Sequence, residues 1–129
     1  MSGGVNLNTV TKITPQQKGV ALGTSQTNVL YNGSALTMYK ITSIIVANVD
    51  GTNDVDINVR VGTYSAGSAY IAKTVTVPAD STLVVTTKDT PIYIGGYGSL
   101  QAWASAAGDA EMLITLEVIE GTSFDYFYG

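Results

Sequence analysis

At 129 residues the chain is the size of one domain and can bury a single core without covalent staples. It is 45% hydrophobic but only 12% charged, with a net charge of −4 and neither histidine nor cysteine, which excludes disulfide frameworks, thiolate metal sites and Ser-His or Cys-His catalysis. Its six basic residues, Lys12, Lys18, Lys40, Arg60, Lys73 and Lys88, are scattered, so no counterion-releasing stripe for nucleic acid exists.

Residues 2–14 are rich in Ser, Asn, Thr and Gly, show no sustained period and run up to Pro15, so they read as an extended arm ordered by a partner. The opening Met-Ser-Gly-Gly-Val has neither the basic start nor the apolar run of a secretory signal, and export by that route is not expected. Strands are predicted over 19–22, 28–31, 37–49, 55–64, 70–77, 82–86, 92–94, 99–106 and 110–120. The clearest is the alternation Val55, Ile57, Val59, Val61 with Asp56, Asn58 and Arg60 between them, a half-buried strand, repeated as Met112, Ile114, Leu116, Val118.

Asn32-Gly33, Asp50-Gly51, Pro78-Ala79-Asp80 and Ala107-Gly108-Asp109 favour chain reversal, so consecutive strands should mostly pair as antiparallel hairpins. Asn32-Gly33-Ser34 fits a glycosylation acceptor but reads better as a tight turn. Together these signals predict an all-β fold, an antiparallel β-sandwich over residues 15–121 of jelly-roll or immunoglobulin-like topology. The run Ile44, Ile45, Val46, Ala47 is apolar on both faces, which fits a central strand covered on both sides, a strand with one face against another subunit, or a strand that crosses between sheets with a mid-strand bulge. Leu100, Ala102, Ala104 and Ala106 line one face of the 99–106 strand and Trp103 the other, where a core position is expected for it. The uncharged stretch 90–108 holds Pro91, Gly95, Gly96 and Gly98 and cannot form a spanning helix, so no membrane association is expected.

No catalytic constellation is present. The acids fall in turns (Asp50, Asp54, Asp80, Asp109) or on solvent faces of strands (Asp56, Glu111, Glu117), which disfavours a carboxylate pair across a cleft. Asp50-x-Thr52-x-Asp54-x-Asp56 is similar to the start of a calcium loop, yet Val55 and Val61 stand where such a loop needs glycine and an acid. Gly95-Gly96-Tyr97-Gly98 is a bend rather than a phosphate cradle, and no metal or cofactor is implied. The closing residues 122–129 carry Phe124, Tyr126, Phe127 and Tyr128, aromatics that either fold back or dock into a neighbour.

The run Tyr39-Lys-Ile-Thr-Ser-Ile-Ile-Val-Ala-Asn-Val-Asp-Gly51, the valine strand after it, Tyr70-Ile-Ala-Lys-Thr-Val-Thr-Val-Pro-Ala79 and Ser99-Leu-Gln-Ala-Trp-Ala-Ser-Ala-Ala-Gly108 together resemble a β-sandwich module of tailed-bacteriophage structural proteins. The resemblance covers residues 37–120 and rests on pattern and turn placement. It implies a non-enzymatic virion protein: a capsid decoration or cement protein on the outer capsid surface, or a neck or tail component. The implied partners are the major capsid protein or other virion proteins, with a homo-oligomer, a trimer first, and no nucleic acid or membrane. Candidate contact residues are Val5, Leu7 and Val10 in the arm and Phe124, Tyr126, Phe127 and Tyr128 in the tail. A second reading is a carbohydrate- or receptor-binding module using Tyr64, Tyr70, Tyr93, Tyr97 and Trp103. It requires two or three of these rings on one exposed face beside hydrogen-bonding groups.

Overall fold

The computed structural model describes residues 9–122, and among them every regular element is a strand. There are nine: β1 (Val10–Ala21), β2 (Thr27–Tyr31), β3 (Thr37–Asn48), β4 (Val55–Gly62), β5 (Ser68–Val77), β6 (Thr82–Thr86), β7 (Ile92–Ile94), β8 (Ser99–Ala104) and β9 (Ala110–Gly121). One sheet has the order β1-β9-β3-β6, with β7 also on β3, and the other the order β2-β8-β4-β5; all pairings are antiparallel.

The pairs nest. The first strand lies on the last, β2 on β8, β3 on β6 and β7, and β4 on β5, as in one long hairpin rolled up on itself. That is jelly-roll topology, with the partner of β3 split into two short strands, and it decides against the immunoglobulin-like alternative. It also corrects the expectation of consecutive hairpins: among the described strands only β4 and β5 are sequence neighbours that pair. Asn32-Gly33 and Asp50-Gly51 carry crossings between the sheets instead, and of the four predicted turns it is the other two that hold positive φ, at Asp80 (58°) and Gly108 (80°).

The core lies between the sheets and is made by the predicted alternations. Val55, Ile57 and Val59 from β4 meet Leu100, Ala102 and Ala104 from β8 in one layer. Ile41, Ile44 and Val46 from β3 meet Met112, Ile114 and Leu116 from β9 in the other. The small alanines let the sheets approach closely. In β3 the register slips between Ile41 and Ser43, a bulge at Thr42, after which Ile44 and Val46 point inward and Ile45 and Ala47 outward. The doubly apolar run is thus a bulged central strand whose second face is the outer face of the sheet.

β1 runs from Val10, earlier than the sequence pattern indicated, because it is an edge strand exposed on both faces for most of its length and carries no alternation. The Leu22 amide donates to the Ala110 carbonyl at 2.9 Å, so with unbroken register back to Lys12 the even residues of β1 bond β9 and Pro15 faces the free edge. There its missing N–H breaks no ladder, and together with Lys12 and Lys18 it blunts the edge against further strand pairing.

Two buried asparagines hold the crossings. Asn32 (0% exposed), between β2 and β3, donates its amide to the carbonyls of Thr37 (2.6 Å) and Ile94 (3.1 Å) and accepts from the Ser34 amide. Asn48, between β3 and β4, does the same to Asn53 and Val77 (both 2.9 Å) and accepts from Asp50. Each clamp links its own loop, five residues on, to a strand reached only through the fold.

Candidate functional site

The two outer faces of the sandwich differ in chemistry. On the sheet of β1, β9, β3 and β6, register sets Gly19 beside Leu113, Leu113 beside Ile45 and Ile45 beside Val84, so one apolar row crosses the whole sheet. Leu113 is 36% and Val84 56% exposed. Gly19, Ala21 and Ala47 keep the floor beside them low, and a shallow groove of about 430 Å³ runs over Gly19, Ala21, Ile45, Ala47 and Leu113, with Glu111 between Ala21 and Ala47 at its edge. Toward the other end of this face, Lys40 pairs with Glu117 at 3.8 Å, an exposed contact of well under about 1 kcal/mol.

The outer face of the second sheet is aromatic and cationic. Trp103 on β8 lies opposite Asn58 on β4, and Arg60 lies between Gln101 and Tyr70. The Tyr70 and Trp103 rings meet edge to face with centroids 5.9 Å apart. The Tyr70 ring also has the Lys73 ammonium at 5.1 Å and the Arg60 guanidinium at 5.7 Å from its centroid. Arg60 donates to the Gln101 Oε1 at 3.3 Å and to the Ser68 hydroxyl, and Gln26 holds the same Gln101 oxygen at 2.8 Å.

This arrangement depends on irregularity in β5. Opposite Asn58 the strand has two residues, Lys73 and Thr74, and a second extra residue, Ile71, separates the partners of Val59 and Arg60. Thr74 takes φ 51°, costly for a β-branched residue, and its amide donates to the Asn58 Oδ1 at 2.9 Å. The two bulges place Tyr70 and Lys73 over the β4 face, a use of bulges common beside functional sites.

The expected residues are distributed as follows. Trp103 is not in the core: Ala102 and Ala104, each 1% exposed, take the inward positions, and the ring stands half-buried on the outer face. Tyr70 joins it, Tyr64 and Tyr97 form a separate pair with centroids 5.5 Å apart, and Tyr93 stands exposed on β7 opposite Lys40. Val10, half-buried, opens β1 opposite Gly121; Val5, Leu7, Phe124, Tyr126, Phe127 and Tyr128 lie outside the described residues. Arg60, Lys73, Asn58 and Gln101 carry no site motif in the sequence, where the one signal is that Asn58 and Arg60 occupy the polar positions of the valine strand.

The acidic loop similar to a calcium site has another use. Asp50 accepts from the amides of Thr52 (2.8 Å) and Asn53 (3.3 Å) and from the Asn53 side chain, and these bonds, the Thr52 amide first, hold its carboxyl below the usual range. No cluster of three potential metal ligands occurs among the described residues. Asp109 is raised, first by partial desolvation and then by the charge of Asp50. A raised carboxyl binds its proton more tightly when folded, so its ionisation opposes folding above its own pKa. Asp109→Asn is therefore expected to raise the melting temperature at pH 7, with the gain fading as the pH falls through the Asp109 titration. A melt series from pH 2.5 to 7 checks this, and a gain independent of pH would contradict it.

No protein-family model matches the chain, and no curated protein does. Among solved structures it is similar to a chain of the disulfide-linked pili of Bacillus endospore appendages, at 16% identity over 89% of this chain and 90% of that one, with a TM-score of 0.44. It is also similar to a chain of the T13 particle of infectious bursal disease virus (11% identity, 83% of this chain, TM-score 0.42) and to one of that virus's VP2 subviral particle (13%, 88%, 0.35). The chain spans 31% and 38% of those two virus chains. At such identities and TM-scores no site, partner or activity passes from those proteins to this one.

Proposed function

We propose that the protein is a non-enzymatic structural component of a tailed-phage virion, a decoration protein bound in many copies to the outer capsid surface through the apolar face of the β1-β9-β3-β6 sheet. The carrying observation is that the row Leu113, Ile45, Val84 is one the chain's own candidate contact residues cannot cover. Tyr128 is six residues beyond Thr122, a reach of about 21 Å, whereas Leu113 lies nine strand residues back, about 30 Å away. Val5 is four residues before Thr9, about 14 Å of chain, and Gly19 is ten residues beyond it, about 34 Å. Leu113 and Val84 stay exposed among the described residues, and burial of the row against another molecule is what supports the reading.

Each exposed Leu or Val side chain contributes roughly 1 to 2 kcal/mol on burial, weak for one copy and sufficient when multiplied over a symmetric lattice. The arm and the aromatic tail, with Val5, Leu7, Phe124, Tyr126, Phe127 and Tyr128, supply lateral contacts between copies or to the major capsid protein in this reading. Copy number tests it. Quantitative mass spectrometry of purified virions is expected to find hundreds of copies per particle. Six or twelve would move the protein to the neck or tail, and absence from particles would end the proposal.

A further inference from the structure

The geometry points to a second binding site, on the outer face of the β2-β8-β4-β5 sheet, for an acidic saccharide: its ring seated at Trp103 and Tyr70 and its carboxylate or sulfate held by Arg60 and Lys73. This site is independent of the apolar face and of the proposed attachment to a particle.

Charge supplies the first reason. In a chain of net charge −4, two of the six basic side chains flank one tyrosine ring, and neither has a carboxylate within ion-pair distance among the described residues. The nearest acid on the same face of β4 is Asp56, four residues and about 13 Å from Arg60, and its Oδ1 already accepts from the Thr76 hydroxyl at 2.7 Å. The two cations lie 5.1 and 5.7 Å from the Tyr70 centroid, so an anion bound beside that ring gains from each charge.

Preorganisation supplies the second. A guanidinium offers five N–H donors. Gln101 and Ser68 hold Arg60 from two of its nitrogens, and Gln26 fixes Gln101 in turn, so the guanidinium is held in place before any ligand arrives. The strained Thr74 and the paired bulges of β5 exist at this spot, where Tyr70 stands opposite Arg60 and Lys73 lies against the Tyr70 ring.

The surroundings select saccharide over protein. Around Arg60 and Asn58 stand Gln101, Gln26, Ser68 and Thr74, amides and hydroxyls that both donate and accept, as sugar hydroxyls require, with Ile71 exposed beside Tyr70. A protein interface needs an apolar centre, and on this molecule the continuous exposed apolar row lies on the opposite sheet.

Trp103 is the chain's single tryptophan and reports occupancy directly. The full chain would be titrated with an oligogalacturonate, a heparin hexasaccharide, a neutral galactose oligomer and polyglutamate, following Trp103 fluorescence and calorimetric heat. Binding of at least one acidic saccharide is expected, with the neutral oligomer and polyglutamate at least tenfold weaker. Arg60→Gln and Lys73→Gln should each weaken that binding about tenfold or more. Trp103→Ala should abolish it, and Tyr93→Ala, on the other sheet, should leave it unchanged. Lys73 is exposed, so Lys73→Gln keeps the test valid should Trp103→Ala unfold the protein. No binding of either acidic saccharide, equal binding of the neutral oligomer, equal binding of polyglutamate, or indifference to both cation variants would each overturn the site.

Discussion

Asn48→Ala is expected to lower the unfolding free energy by about 3 kcal/mol, as large a loss as removing a core leucine. The side chain is 2% exposed, and its amide serves the carbonyls of Asn53 and Val77 while its oxygen holds the Asp50 amide. Truncation leaves two carbonyls and one amide without this partner, and each buried orphan costs about 1 to 3 kcal/mol, with water recovering part of it. Urea unfolding with an unchanged m-value measures this, and a loss under about 1 kcal/mol would show that the clamp is dispensable. Asn48→Asp separates donor loss from shape. At neutral pH it sets a buried carboxylate against carbonyl oxygens and should destabilise more than alanine, whereas in acid the protonated form regains one donor and part of the stability. Asn32→Ala, which breaks the same bond pattern at the other end of β3, should cost a similar amount, and the two losses should add because the clamps share no partner.

Those clamps also show what the sequence made legible. Asn32-Gly33 and Asp50-Gly51 carry local turn chemistry, which is the same whether the next strand returns to the same sheet or crosses to the other. What distinguishes them is a partner 62 residues away for Asn32 and 29 for Asn48, invisible to any window of the chain. Strand positions were legible because burial on one face imposes a period of two, as in Val55 to Val61 and Met112 to Val118. β1 was not, since an edge strand wet on both faces imposes none. Alternation places Trp103 on the face opposite Ala102 and Ala104 but leaves its environment open, because it says which residues share a face and not which face is inside. The aromatic platform was legible in its rings and illegible in its assembly, which needs two bulges in β5 that no residue type announces. Leu113 and Val84 are ordinary members of their strands, and only register through Ile45 joins them into a row.

Leu113→Arg and Val84→Arg are expected to weaken attachment to the particle while leaving the fold intact, since both side chains point away from the core and tolerate a charge in water. At the interface each places a guanidinium where an apolar side chain stood, Val84→Arg without a neighbouring acid on its strand and Leu113→Arg beside Glu111, so Val84→Arg should weaken the contact more than about 100-fold and Leu113→Arg less. The paired control is Tyr93→Arg, also exposed and on the same sheet but opposite Lys40, away from the row. Cosedimentation with particles stripped of the protein reads the outcome, and circular dichroism with thermal melting confirms that the variants fold. Loss of binding in the row variants alone would assign attachment to the apolar face. Full binding by both would transfer it to the arm and the tail, where removal of residues 2–8 or 123–129, which leaves β1 and β9 whole, becomes the decisive experiment. The two sites also separate: Arg60→Gln should leave particle attachment untouched, and Leu113→Arg should leave saccharide binding untouched, because the sandwich core lies between them. A variant that lost both functions at once would mean that the two faces serve one partner and that the division of labour drawn from their chemistry is wrong.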